Sequence, residues 1–372
     1  MPGRRRRPRY PGTHPRQFEH RYKELEPDKH PDMHDHVRAQ GRTPAGTHVP
    51  VLLDEVMTAL DPRPGNVVVD CTLGYGGHAE AFLRRITPAG RLIGLDLDGE
   101  QLARTGQRLA DSLGEPVALV LPGDVPSRGQ PPPTVRLYHR HFGSIGRVLG
   151  EEGISGFDVV FADLGVSSMQ IDDPARGFSF KHDGPLDMRM DLRRPHTAAD
   201  LLASLDGRTL AAALRTLADE PAADAIARLI VDRRGRRPIT RTRELMRLVF
   251  EAKGISMRQW RQRPERRPGD LHPAARTFQA LRILVNDELS GLEQLLRQVP
   301  YCLRPGGRLG IISFHSGEDD RVAAALESGL QAGPYETVCD HAITPGPAEV
   351  TSNLRSRSAR LRWGVTGCGN RL

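Results

Sequence analysis

Between Asn66 and Asp96 the chain carries a pattern that few folds satisfy. Asn66-Val67-Val68-Val69-Asp70 is a short β-branched run, fit for a central parallel strand. Cys71-Thr72-Leu73-Gly74-Tyr75-Gly76-Gly77-His78 follows, and then a helical stretch from Ala79 to Arg85. A second strand, Arg91 to Asp96, ends in an acid about twenty residues beyond the glycines. Glycines permit positive φ and close backbone approach, and a helix N-terminus offers free N–H groups. An acid at the end of the second strand can accept hydrogen bonds from both ribose hydroxyls. This strand–turn–helix–strand unit predicts an α/β fold with a largely parallel sheet that takes a nucleotide at the carboxyl ends of its strands.

A second stretch, Phe157 to Asp191, reads FDVVFADLGVSSMQIDDPARGFSFKHDGPLDMRMD. It starts as a buried strand to Ala162 and ends that strand on Asp163 and Gly165. Hydroxyls, an amide, two phenylalanines, several charges and glycines then crowd together, which suits a site better than a core; a solvated loop is the plain alternative. Between the two stretches, Gln101 to Leu113 reads as a helix and Val135 to His139 as a third strand, with Phe142 just beyond it. Pro122 to Thr134 is too rich in proline and glycine for either regular element and reads as an inserted surface loop.

After Asp191 the pattern turns helical: Thr197 to Leu217, Ala222 to Arg234 and Thr240 to Glu251. A further helix runs from His272-Pro273-Ala274-Ala275-Arg276 without a break to Leu296. Arg304-Pro305-Gly306-Gly307 reads as a tight turn, and Arg308 to Phe314 as a fifth strand. The helical region implies a domain inserted into the parallel sheet.

Charge points to a polyanionic partner. The formal net charge is +7, and it is concentrated. Residues 1–47 hold eleven Lys/Arg against six Asp/Glu, and residues 228–267 hold fourteen against four. Basic blocks on an otherwise acidic chain suit phosphate neutralisation; a solubilising face is the bland reading. Trp260, among the arginines of the second block, can stack on an unpaired base. Residues 1–47, rich in Pro, Arg and His, read as a disordered basic tail, with order beginning near Thr47-His48-Val49-Pro50. The four cysteines are scattered, which argues against a disulfide framework and a zinc site. No apolar run approaches a membrane span, and the basic N-terminus has no hydrophobic region after it, so a cytoplasmic protein is expected.

The motifs Asp163-Leu164-Gly165-Val166-Ser167-Ser168-Met169-Gln170, Arg176 to Phe180 and Asp183 to Asp191 resemble those of the bacterial RsmH (MraW) family. Gly74-x-Gly76-Gly77 with Asp70 before it fits an S-adenosylmethionine methyltransferase better than the G-x-G-x-x-G of an NAD enzyme. Similar motifs run from about His48 to Arg362. The resemblance implies a class I, Rossmann-like methyltransferase fold with an inserted all-helical domain. It implies residues 48–177 and 276–372 as the methyltransferase domain and 178–275 as a substrate-recognition insertion. The implied activity is methylation of the N4 amine of a cytidine in 16S ribosomal RNA, in the decoding region, from S-adenosylmethionine. The matching cofactor contacts are Gly76, Gly77, His78, Asp96, Phe142, Asp163 and Gln170. Asp163, Ser167 and Ser168 are the expected catalytic residues, since the cytosine amine needs hydrogen-bond acceptors as it attacks. No cysteine stands near this loop in sequence, which disfavours a covalent thiolate route.

Phe178 and Phe180 are expected to hold a base swung from its stack, and Asp187 and Arg189 to orient it or else to pair and fix the loop. The partner would be small-subunit ribosomal RNA or the 30S subunit, with the oligomeric state open, a homodimer included. Two segments depart from the family besides the proline-rich insertion: Pro221-Ala222-Ala223 after Asp219-Glu220, and Gly317-Glu318-Asp319-Asp320-Arg321 after His315-Ser316. They keep two other readings in view: a paralogue acting on another RNA position, and a non-catalytic ribosome-assembly protein.

Overall fold

The computed structural model describes residues 50–121, 123–124, 134–263 and 271–367. The basic tail, most of the inserted loop, and Arg266 and Arg267 lie outside the described residues.

Eight strands form one sheet: β1 (Val67–Asp70), β2 (Arg91–Asp96), β3 (Ala118–Val120), β4 (Val135–His139), β5 (Phe157–Asp163), β6 (Leu303–Ser313), β7 (Tyr335–Val338) and β8 (Arg360–Thr366). Their order is β3-β4-β2-β1-β5-β6-β8-β7. The pairs from β3 to β6 are parallel, while β8 runs antiparallel to β6 and β7. The order reverses at β1, with β2 on one side and β5 on the other. Such a reversal opens a crevice at the carboxyl ends, and here those ends are Asp70, Asp96, His139 and Asp163. The short strands β3 and β7, of three and four residues, carry no sequence signal of their own.

Helices cover both faces. In order they are α1 (Leu53–Leu60), α2 (Gly77–Ile86), α3 (Gly99–Leu113), α4 (Ile145–Glu152), α5 (Ser168–Asp172), α6 (Ala198–Ser204), α7 (Gly207–Ala218), α8 (Ala223–Arg234), α9 (Thr242–Ala252), α10 (Met257–Gln262), α11 (Ala275–Asn286), α12 (Glu288–Cys302), α13 (Ser316–Ala332) and α14 (Pro347–Ser352). Strand side chains alternate faces, so β5 divides its residues between two cores. Val160 and Ala162 pack in one with Leu292 and Leu295 of α12. Val159 and Phe161 pack in the other with Phe82 and Leu83 of α2 and Leu102 of α3. Burial on both faces explains why the strand reads as a continuous apolar run.

A third cluster lies among the helices after β5. Leu202, Leu214, Ile226, Ile230, Leu245, Val249 and Leu281 belong to it, and it extends from Phe178 to Val285.

Three boundaries differ from the sequence reading. Thr197 to Leu217 is two helices, because Thr197 caps α6 and Asp206 caps α7 by accepting from the N–H groups of Arg208 and Thr209. The unbroken helix to Leu296 is α11 and α12, separated at Asp287, whose φ is 56°. Asn286 secures that break, accepting from Met190 N and donating to Met188 O. The expected turn at 304–307 is a bulge within β6, since Phe157 pairs Leu303 and Val159 pairs Arg308.

Candidate active site

One cavity at the crevice collects Gly76, Gly77, His78, Asp96, Phe142, Asp163, Ser167 and Gln170. The glycine loop enters α2 through Gly76 at φ 71°. A Cβ there would lie 2.9 Å from Thr105 Cγ2, so the left-handed turn and the close packing both require glycine. Thr105 Oγ1 donates to Gly74 O at 2.5 Å and fixes the loop from α3. Asp96 ties the loop to β2: its carboxylate accepts from Gly74 N at 2.7 Å and from Asp98 N at 2.8 Å.

Asp163 closes the opposite side. Its N–H donates to Thr72 Oγ1 at 2.6 Å, and its Oδ2 lies 3.8 Å from His78 Nδ1. His78 Nε2 stands 2.9 Å from Val51 O; a carbonyl only accepts, so this nitrogen carries the proton. Asp163 Oδ1 is buried and has no hydrogen-bond partner among the described residues. An orphaned acceptor at a cavity wall marks a place for a donor.

Three strand-end carboxyls are raised. Burial pushes Asp163 up to about 8, with the neighbouring charges of Asp70 and Glu318 adding to it. Burial likewise lifts Asp70 to about 7 and Asp96 to about 6, against backbone hydrogen bonds that pull them down. The folded chain therefore holds protons that the unfolded chain releases near 3.8. That contribution to stability is full below 3.8 and is lost as pH rises through about 6, 7 and 8. Calorimetry on the ligand-free protein should show the melting temperature falling from pH 5 to pH 8. A flat or rising profile would remove the three acids as a source of linkage.

The loop after β5 is built to hold its shape. Ser167 caps α5: its Oγ accepts from Gln170 N, and Gln170 Oε1 accepts from Ser167 N. Gln170 Nε2 donates to Asp98 Oδ2 at 3.0 Å, and Arg176 Nη1 donates to the same oxygen at 2.7 Å. Gln170 thus lines the cavity with its amide already engaged. The Ser168 side chain lies outside the described residues. Gly184 allows two passes of the loop to touch, since a Cβ there would meet Pro174 O at 1.7 Å.

The expected base-holding residues have other neighbours. Phe178 is buried in the helical core. Phe180 stacks on His272, centroids 4.0 Å apart, and meets Phe278 edge-on. Trp260 packs edge-on against Phe250 and His272. None of the three lines the cavity. Their rings pack within the helical unit. Asp187 and Arg189 form a two-pronged ion pair at 2.8 Å, and Arg189 also donates to Leu192 O and Arg194 O. Of the two roles weighed for this pair, the structure displays loop fixing.

Several site residues were not anticipated. Asp98 gathers the N–H of Gln101, the amide of Gln170 and the guanidinium of Arg176. Its sequence signal was an acid one residue before a helix. Cys71 lines the cavity despite its distance in sequence from the Asp163 loop. Burial and Asp70 push its thiol well up, so it is no thiolate. The departures have structural jobs. Glu318 accepts from Phe314 N at 2.9 Å, and His315 Nε2 lies 3.1 Å from its Oε1. Asp319 receives Arg360 at 3.0 Å and Arg362 at 2.7 Å, so those arginines of β8 are engaged internally.

The family model of the MraW methylase family matches residues 45–365. This chain belongs to that family. The ribosomal RNA small subunit methyltransferase H 1 of Agathobacter rectalis is 38% identical over 366 residues, 97% of each chain. The ribosomal RNA small subunit methyltransferase H of Acidothermus cellulolyticus is 43% identical over 336 residues, 86% of this chain and 93% of that one. Its counterpart in Symbiobacterium thermophilum is 42% identical over 330 residues, 85% and 95% respectively. Among the described residues no helix is long and apolar enough to cross a membrane.

Proposed function

We propose that this member of the MraW methylase family is an S-adenosylmethionine-dependent methyltransferase of small-subunit ribosomal RNA, acting on the N4 amine of a cytidine. The observation that carries the reading is Asp163: a strand-end carboxylate with an orphaned oxygen in the same cavity as the glycine loop and Asp96. The cavity fits the cofactor. Asp96 would hold the ribose hydroxyls, Gly76 and Gly77 would admit the cofactor close to the backbone, and the Phe142 ring would face the adenine. When bound, the cofactor supplies a methyl group on a positively charged sulfur that leaves with the electron pair.

The chain's own task is alignment and proton handling. The cytosine amine is a weak nucleophile because its lone pair is delocalised into the ring. The Asp163 carboxylate would accept a hydrogen bond from an amine N–H, localising that lone pair, and would then receive the proton. The carboxyl is raised to about 8 in the cofactor-free chain, and a positive charge in the cavity favours its ionised form. Ser167 holds the turn that follows Asp163 through its cap on α5.

In this reading residues 48–177 and 276–372 are the methyltransferase body, and residues 178–275 meet the RNA. The separate apolar cluster supports that division, although it reaches past residue 275 to Val285. So does the concentration of arginine at 228–267.

The test is labelled methyl transfer to small subunits from cells lacking the gene, followed by nucleoside mass spectrometry. Labelled N4-methylcytidine is expected. Label on another nucleoside would replace the target. Bound cofactor with no label would favour an assembly factor without turnover.

A further inference from the structure

Beside the cofactor cavity lies a second concave site. Arg140, Arg147, Arg193 and Arg194 line it, with Asp191 as the one carboxylate in its wall. It shares Leu97, Arg140 and His141 with the cavity, so the two are continuous. Resting on the reading above that the substrate is RNA, we propose that this groove binds a backbone phosphate of the RNA strand next to the target nucleotide.

The charge balance supports this. Glu151, behind the groove, holds both Arg140 at 2.7 Å and Arg147 at 2.9 Å, so one anion serves two cations. Asp191 holds Arg193 through Nε and Nη2, which fixes that guanidinium side-on. Arg194 Nη1 donates to a neutral group, Val285 O, and Arg194 has no ion-pair partner among the described residues. Four arginines against Asp191 and Glu151 leave a net of +2, enough for one phosphodiester. The field is felt locally: burial and then Arg194 lower His141 to about 4, which keeps that ring neutral at the junction of the two sites. Arg147 and Arg193 reach solvent, with 68% and 48% of their side chains exposed. Planar guanidinium groups oriented by carboxylates present their remaining N–H groups outward, which suits phosphate oxygens. Among the described residues the groove has no Phe, Tyr or Trp and its rings are the imidazoles of His139 and His141, so it would position the strand through its arginines rather than read a base.

The test uses the full chain with Arg147→Ala and Arg193→Ala combined. Arg194 stays, because it also holds the Val285 carbonyl. Filter binding of small-subunit RNA is measured across a salt series, with Arg84→Ala and Arg85→Ala combined, two exposed arginines of α2, as the charge-matched control. The double variant should bind about tenfold more weakly, with a salt slope lower by about one or two. Calorimetric affinity for S-adenosylhomocysteine should not change. Weakening no greater than that of the Arg84→Ala and Arg85→Ala control overturns the proposal, and so does an equal loss of S-adenosylhomocysteine affinity. Methyl transfer is read separately: wild-type RNA binding without transfer would remove the catalytic reading and leave the groove result standing.

Discussion

Asp163→Ala should lower kcat by about 10² to 10⁴-fold, the usual worth of a positioned general base. Affinity for S-adenosylhomocysteine, measured by calorimetry, should fall far less than kcat, since Gly76, Gly77, Asp96 and Phe142 still line the cavity. Asp163 is the last residue of β5, its N–H is fixed by Thr72, and the residue lines the cavity. Asp163→Asn is the sharper variant, since it keeps the shape and removes the proton acceptor. Both changes remove a buried acid whose folded value stands at about 8, so neither should lower the melting temperature at pH 8 and either is expected to raise it. Lost turnover in a protein at least as stable as wild type separates chemistry from unfolding. The pH profile gives a second signature. For the wild type, kcat/KM reports the free enzyme and should climb with pH toward about 8. The residual activity of Asp163→Ala should lack that rise. Near-normal turnover in either variant would exclude Asp163 as the proton acceptor.

The parts of the molecule legible in sequence are those governed by local rules. The β1–α2–β2 unit was readable because glycine spacing, β-branched runs and terminal acids each have a short-range cause. The residues expected to contact the cofactor share one cavity because each sits at or just after the carboxyl end of a parallel strand. What was not legible depends on partners distant in sequence. Phe180 and Trp260 resemble free stacking rings until His272 arrives between them from the far end of the helical region. Arg360 and Arg362 meet their partner, Asp319, 41 and 43 residues away in sequence. Cys71 stands far along the chain from Asp163, yet pairing of β1 with β5 brings it to the same cavity. Asp287 gave no hint of a helix break, because the left-handed turn there is secured by Asn286 reaching the Asp187–Asp191 loop.

Lys253→Ala should destabilise the protein by about 3 to 5 kcal/mol, the range for leaving one member of a buried ion pair alone. Glu220 sits directly after the left-handed C-cap of α7, Asp219, with its side chain fully buried. Pro221, Ala222 and Ala223 follow it, so no neighbour in sequence supplies a cation. The cation comes instead from Lys253 at the end of α9, whose Nζ lies 2.8 Å from Glu220 Oε1. Lys253 also donates to Pro273 O, and Thr277 Oγ1 donates to Glu220 Oε2 at 3.1 Å. One carboxylate therefore joins α7, α9 and the start of α11, and the helical unit has no other buried carboxylate among its described residues. Urea unfolding of Lys253→Ala should show a lower midpoint with an unchanged slope. Glu220→Gln combined with Lys253→Met should recover most of the loss, since the amide still meets Thr277 and Ala222 and no charge is left buried. A loss below about 1 kcal/mol in the single variant would mean the pair behaves as a surface bridge. Because neither residue lines the cofactor cavity, kcat per folded molecule should hold in both variants, which ties this pair to the fold of the helical unit and not to the chemistry.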